Sequence, residues 1–331
     1  MNTYLGVDGG GSKTQVVLID ANGRVLAQHE DGPAYHLEIG LEALQEMLER
    51  AIGLVLERGG VRKADLSFAF VGLPAYGEDS ALLPRLDALP SAALPAGRYR
   101  CGNDMICGWA GALAGADGIN VVAGTGSMAY GEWRGRHARS GGWGELFSDE
   151  GSAHWLAREG LRLFSRMSDG RMPRGLLYTR VREHFELHED LDLCAAIYGR
   201  DVARRSRLAQ LSRVVAEAAS SGDTAALALF TQATSEFVEM VEAVRHQLAV
   251  PAGIELPVAC TGGLSRLRDL ILVPLERALA RSRHPYRLMS AVMPPAAGAA
   301  LYAAKLCGHP LDGPATEALG SRWRSTSFDS A

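Results

Sequence analysis

The 331 residues of this chain exceed the ~250 at which a single hydrophobic core usually stops growing, so about two domains are expected. Apolar residues make up 47% and charged residues 22%, and 34 Lys+Arg against 38 Asp+Glu leave a formal charge of -4; such a chain has no basic field to hold nucleic acid or an anionic membrane. No run of ~18 uncharged apolar residues occurs, and Met1-Asn2-Thr3-Tyr4 passes into a strand pattern without the basic and apolar regions of a signal peptide, so a cytoplasmic protein with no membrane partner is expected.

The first thirty residues read as a β-meander: Tyr4-Val7, Thr14-Asp20 and Arg24-His29, the last two joined by the turn dipeptide Asn22-Gly23. From Leu41 the period changes. Leu44, Leu48, Ala51, Ile52 and Val55 follow at helical spacing until Gly59-Gly60. Strands at Leu66-Leu73 and Arg98-Gly102 and a helix near Met105-Ala114 complete a first βββαβα unit, residues 1–115. The pattern then begins again with strands Ile119-Ala123, Ala129-Trp133 and Arg136-Arg139. Val7-Asp8-Gly9-Gly10-Gly11-Ser12 and Val122-Ala123-Gly124-Thr125-Gly126-Ser127 share the string V-x-G-x-G-S about one unit apart, which predicts an internal duplication. The second unit, 116–306, carries a helical insertion over roughly 151–250, then a strand Pro257-Cys260 and helices near Ser265-Arg281 and Ala296-Leu306. The polar segment from Gly308 onward is expected to be loosely held, or to complete the first lobe. Five cysteines, spread at 101, 107, 194, 260 and 307 without a C-x-x-C pair, fit reduced thiols.

The first glycine loop is not a P-loop, because Ser12 stands between Gly11 and Lys13 and a strand follows Thr14. Gly124-Thr125-Gly126-Ser127-Met128-Ala129 matches the dinucleotide string G-x-G-x-x-A, with Glu145 about 20 residues on. Yet the residues that follow pattern as a hairpin, where a pyrophosphate site needs a helix N-terminus. Two such hairpins after two matched strands read as paired phosphate clamps: Gly9, Gly10, Gly11, Ser12, Lys13 and Thr14 in one, Gly124, Thr125, Gly126 and Ser127 in the other. Glycine lets backbone approach phosphate oxygens, and Ser and Thr add donors. Asp8 ends a buried strand, where a carboxylate is costly unless a cation such as magnesium answers it. Asp104 either caps the helix that follows it or projects into a cleft. Gly141-Gly142-Trp143-Gly144 and Ser148-Asp149-Glu150 set a flat ring beside carboxylates, an arrangement that suits a sugar, while Trp143 as core and Asp149 as a cap stay open.

Taken as a set, Asp8-Gly9-Gly10-Gly11-Ser12-Lys13-Thr14, Asn103-Asp104, Gly124-Thr125-Gly126-Ser127, Gly141-Gly142-Trp143-Gly144, Ser148-Asp149-Glu150-Gly151-Ser152 and Thr261-Gly262-Gly263 stand in the order found in N-acetylglucosamine kinases. The chain resembles that branch of the BadF/BadG/BcrA/BcrD ATPase group from Tyr4 to about Leu306. The resemblance implies an α/β fold of duplicated actin-like (ribonuclease H-like) ATPase domains, two lobes around a nucleotide cleft, using ATP and Mg2+ to phosphorylate an amino sugar, most simply N-acetylglucosamine at its 6-hydroxyl. It implies Asp8 at the metal, the two hairpins on the phosphates, Gly262 and Gly263 beside the adenosine, and Asp104 as general base. Tyr35, His36, Asn103, Gly142, Trp143 and Asp149 would line the sugar pocket, and a homodimer is compatible with the resemblance. Two positions depart from the family, which often has Asn where this chain has Tyr35-His36 and Met128. Losing amide donors there weakens the case for the N-acetyl group, so glucosamine stays open.

Other classes fit less well. The same group contains iron–sulfur activators of partner enzymes, but Cys101 and Cys107 flank Asp104 and match no activator cysteine pattern. A sugar-sensing repressor would need a helix-turn-helix module, and seven residues precede Asp8. A chaperone ATPase would need a peptide-binding domain after the second unit.

Overall fold

A computed structural model describes residues 2–199 and 205–324. By its contacts the chain divides into two units, Met1–Asp117 with Ser290–Ala331, and Gly118–Met289. The first unit holds a mixed sheet of β1 (Thr3–Gly9), β2 (Thr14–Asp20), β3 (Val25–Asp31), β4 (Phe68–Leu73) and β5 (Tyr99–Asn103), in spatial order β3-β2-β1-β4-β5. The second holds β6 (Gly118–Ala123), β7 (Ser127–Trp133), β8 (Arg136–Gly141), β9 (Leu256–Thr261) and β10 (Tyr286–Met289), in order β10-β9-β6-β7-β8. Read from the other edge, the second order repeats the first strand for strand. In each sheet the leading strand pairs antiparallel with the next and parallel with the fourth, so the duplication expected from the shared string is present in the topology.

The alternation of a strand's side chains explains the first unit's layers. Leu5 and Val7 of β1, with Val16 and Leu18 of β2, point to a core closed by Leu44, Leu48, Ile52 and Val55 of helix Leu41–Arg58. Tyr4 of β1, Val17 and Ile19 of β2 and Phe70 of β4 point the other way, to Ala296, Ala299, Ala300 and Ala303 of helix Pro295–Leu306. That helix corrects the sequence reading, which assigned 296–306 to the second half. Its small residues let backbone meet backbone: a Cβ at Gly6 would lie 2.2 Å from the Ala300 amide nitrogen, and one at Gly298 would lie 2.1 Å from that of Gly111.

Of the two expectations for the end of the chain, completion of the first lobe is the one the fold shows. Helix Gly313–Arg324 is docked in the first unit, with Leu319 fully buried and Ala315 covering Gly23, where a Cβ would meet the Ala315 carbonyl at 1.9 Å. Its polar sequence hides a single apolar stripe, too short to recognise alone. In the second unit the core lies between the sheet and helices Ala153–Ser168, Thr224–Leu248 and Val273–Ala280. The single helix expected at 265–281 is three pieces: a 3₁₀ turn Gly263–Arg266, a π-turn Arg268–Leu272 and the α-helix Val273–Ala280, whose first turn holds Pro274. A proline there has no N–H to continue an upstream helix. Among the described residues no helix is long and apolar enough to cross a membrane.

Candidate functional site

Because β1, β4 and β5 run parallel, their C-terminal ends share one edge of the first sheet. Ligands in open α/β sheets gather at such an edge. β1 ends at Asp8-Gly9, β4 at Gly72-Leu73, and β5 at Asn103, which leads into helix Asp104–Leu113. The helix sits close because Gly72 has no side chain: a Cβ there would meet Cys107 Sγ at 2.3 Å and Asp104 Cα at 3.2 Å. Capping falls to Asn103, whose side chain accepts from the Met105 amide and whose Nδ2 donates to the Tyr76 carbonyl. Asp104 therefore occupies the first helical position without serving as the cap, so the capping role left open on the sequence belongs to its neighbour.

Asp8 and Asp104 repel one another across this edge. Burial, then the Asp104 charge, pushes the Asp8 carboxyl up to about 7, with only Lys13 opposing. Lys13 is itself paired to Glu30 at 2.8 Å. Two interacting carboxylates at a strand end, one of them raised by burial and by its neighbour's charge, fit a hard divalent cation such as Mg2+, which takes one or two protein carboxylates and completes its shell from phosphate and water. Among the described residues no group of three or more His, Cys, Asp and Glu side chains that could hold a metal ion is found.

The loop between β1 and β2 spans Gly9 to Thr14, closed by the Gly10 amide donating to the Lys13 carbonyl at 2.9 Å. Gly11, Ser12 and Lys13 are exposed, while Thr14 is buried with its hydroxyl unpartnered. The Ala34 amide donates to the Gly10 carbonyl, which brings Tyr35 and His36 beside this loop. His36 is buried and its Nδ1 has no hydrogen-bond partner.

In the second unit, Gly124-Thr125-Gly126 turns β6 into β7, with the Gly124 amide donating to the Gly126 carbonyl at 3.0 Å. Strand follows loop here, so the helix required by the dinucleotide reading is absent and Glu145 has no ribose role to play. The loop is stitched to the segment that follows β8. Ala153 and His154 amides, at the start of helix Ala153–Ser168, donate to the carbonyls of Gly124 and Thr125; Ser127 donates through its hydroxyl to the Glu150 carbonyl and through its amide to Asp149 Oδ1 at 3.4 Å. These bonds turn the loop carbonyls inward and leave Thr125 at an exposed tip. Gly262 (φ +94°), just past β9, backs the same loop: a Cβ there would meet the Ala123 carbonyl at 2.5 Å. Gly263 stands in open space.

Trp143 is not core. It is 65% exposed, with the Arg139 guanidinium 5.3 Å from its ring centre, and Leu146 and Phe147 are exposed beside it. Gly142 (φ +70°) lies over Met128, whose Cε would be 2.4 Å from a Cβ. Asp149 is only 2% exposed and holds a left-handed backbone (φ +61°), and it does not cap helix Ala153–Ser168, a role taken by Ser152. Its carboxylate pairs with Arg205 at 2.6 Å. Arg205 carried no signal in the sequence, since it is one of several arginines in an insertion and meets Asp149 only through the tertiary fold. The structure thus brings Asp8, the first loop, Tyr35, His36, Asn103 and Asp104 together in one unit. It brings the second loop, Gly142, Trp143, Asp149 and Gly262-Gly263 together in the other. Cys101 and Cys107 are poor cluster ligands: burial pushes Cys101 up to about 12 and Cys107 well above the usual thiol range, keeping both protonated.

Comparison with known proteins agrees with these features. The model of the BadF/BadG/BcrA/BcrD ATPase family matches residues 5–303. An N-acetyl-D-glucosamine kinase of Dictyostelium discoideum is 24% identical over 309 residues, covering 91% of this chain and 97% of that protein. An N-acetylmuramic acid/N-acetylglucosamine kinase of Clostridium acetobutylicum is 29% identical over 76% of this chain and 81% of its own length. The solved structure of a candidate N-acetylglucosamine kinase from Chromobacterium violaceum is 27% identical with a TM-score of 0.73, covering 92% of this chain and 99% of that one.

Proposed function

Because this chain belongs to the BadF/BadG/BcrA/BcrD ATPase family, we propose that it is an ATP-dependent kinase of an amino sugar, with N-acetylglucosamine as acceptor at its 6-hydroxyl. The observation that carries this reading is the pair of carboxylates at the end of β1 and the start of helix Asp104–Leu113. Phosphoryl transfer to a hydroxyl needs a base and charge neutralisation close together. Asp104, relieved of capping by Asn103, takes the proton from the attacking hydroxyl. Asp8 would hold Mg2+, which would supply charge neutralisation on the phosphates when bound. Gly9 to Thr14 and Gly124 to Ser127 are the phosphate-binding loops, and Gly262-Gly263 borders the nucleoside. Trp143 stacks on the apolar face of the sugar, and Asp149 accepts from a sugar hydroxyl.

Glucosamine is the second acceptor to consider, on one observation. Met128 fills the space beneath Gly142 with a thioether, which offers no donor to an acetamido carbonyl. A relative named glucosamine kinase, from Vibrio cholerae, is 26% identical over 84% of this chain.

A coupled ADP-release screen over N-acetylglucosamine, glucosamine, N-acetylmannosamine, N-acetylmuramic acid and glucose tests the reading. The expected result is turnover of one or both of the first two, lowered by at least ~10² in kcat by Asp104→Asn with ATP binding retained. No turnover of any amino sugar, or near-normal turnover by the variant, would overturn it.

A further inference from the structure

The second unit contains one cation set against three separate parts of the candidate site. The Arg205 guanidinium meets Asp149 through Nη2 at 2.6 Å, and its Nε lies 3.3 Å from a Glu145 carboxylate oxygen, an ion-pair distance without a hydrogen bond. The same Nη2 lies 2.3 Å from where a Cβ on Gly126 would be, with Asp149 Oδ2 at 2.8 Å from that point. The ion pair therefore rests on the backbone of the second phosphate loop, where a side chain at Gly126 would have to displace it. Glu145 belongs to the exposed segment that carries Trp143, and its carbonyl accepts from Arg158 at 3.3 Å.

From this we infer that Arg205 is a positioning residue for sugar recognition: it holds the Asp149 carboxylate in place against the Gly124–Ser127 loop. The inference rests on the reading of Asp149 as a sugar ligand. A carboxylate only 2% exposed, on a left-handed backbone, needs a strong partner to stay in place. Besides its pairing with Arg205, the Asp149 carboxylate accepts from the Ser127 amide at the long distance of 3.4 Å. Arginine suits the task because its rigid planar fork fixes the direction in which Nη2 meets Asp149, which a freely rotating lysine ammonium does not. Arg205 itself stays one-third exposed, at the start of helix Arg205–Ala209, so its removal opens no core cavity.

The test compares Arg205→Met, Arg205→Lys, Asp149→Asn and the Asp149→Asn/Arg205→Met double variant, using the amino sugar that the wild type phosphorylates in the screen above. Arg205→Met should raise the sugar KM about tenfold or more while the ATP KM moves less than threefold, and Arg205→Lys should recover part of the loss. The double variant should have the sugar KM of Asp149→Asn alone, since Arg205 acts through that carboxylate. A sugar KM within twofold of wild type in Arg205→Met, or a double variant more than threefold worse than Asp149→Asn, would overturn the inference. If circular dichroism shows Arg205→Met unfolded, the comparison of the double variant with Asp149→Asn decides, because that pair leaves no uncompensated buried charge. An unchanged sugar KM in Asp149→Asn would instead refute the placement of Asp149 in the sugar site.

Discussion

Asp8→Asn offers the sharpest test of the carboxylate pair. Asp8 rises from a usual value of 3.8 to about 7 in the folded chain, chiefly through burial and then through Asp104. For an acid raised on folding, the native state binds the proton more tightly than the unfolded state. That contribution is fully present below pH ~4 and is lost as pH rises through about 7. The shift sets a ceiling of roughly 4 kcal/mol on the loss, from ~1.36 kcal/mol per unit. Asparagine keeps the shape and removes the titration, so in EDTA the variant should exceed wild type in stability, and the excess should grow by roughly 2–3 kcal/mol between pH 5 and pH 8. Urea unfolding of both proteins at the two pH values measures this, since titrating groups away from Asp8 are common to both and cancel. Added Mg2+ should stabilise the wild type at pH 8 and leave the variant almost unchanged, because an ionised Asp8 is the carboxylate that would hold the ion and asparagine supplies no charge there. An Asp8→Asn protein that is no more stable at pH 8 than at pH 5 relative to wild type would show that Asp8 is neither desolvated nor repelled by Asp104. The metal reading would fall with it.

Gly298→Ala should destabilise the first unit by about 3 kcal/mol or more, since its methyl would enter the backbone of Gly111; wild-type urea stability would remove helix Pro295–Leu306 from that core. Gly10→Val is expected to weaken MgATP binding in calorimetry with the sugar KM unmoved, because a Cβ there meets only the Lys13 carbonyl at 2.8 Å. Gly126→Ala should raise both the ATP and the sugar KM, its methyl striking Arg205 and Asp149; an effect on ATP alone would uncouple the loop from the ion pair. Trp143→Ala should raise the sugar KM roughly ten- to thirtyfold, the equivalent of ~1–2 kcal/mol. Its unfolding curve should be unchanged because the ring is exposed, and a matching rise in the ATP KM would move the sugar site elsewhere.

Local patterns in the chain determined the strands and the repeated string. Thr14–Asp20 and the helix from Leu41 stand where alternation and three-to-four spacing put them, because each signal depends on residues a few positions apart. The glycine loops were legible for the same reason: V-x-G-x-G-S marks a strand ending in a tight turn, and the turn chemistry is local. Pairings across long stretches of sequence were not legible. Nothing near residue 298 says that its helix packs on β1, since a row of alanines is compatible with any close neighbour. Only the facing Gly6 and Gly111 decide it. Strand β10, four residues long, lacks the length for a pattern and exists because β9 offers it an edge. The division of labour between Asn103 and Asp104 could not be read from an Asn-Asp pair either, for both types cap helices. The backbone had to place Asn103 in extended geometry (φ -71°, ψ 145°), leaving the next carboxylate beside Asp8. Arg205 lies furthest from the sequence's reach: 56 residues separate it from Asp149, and a cation's partner is decided by where the folded insertion returns it.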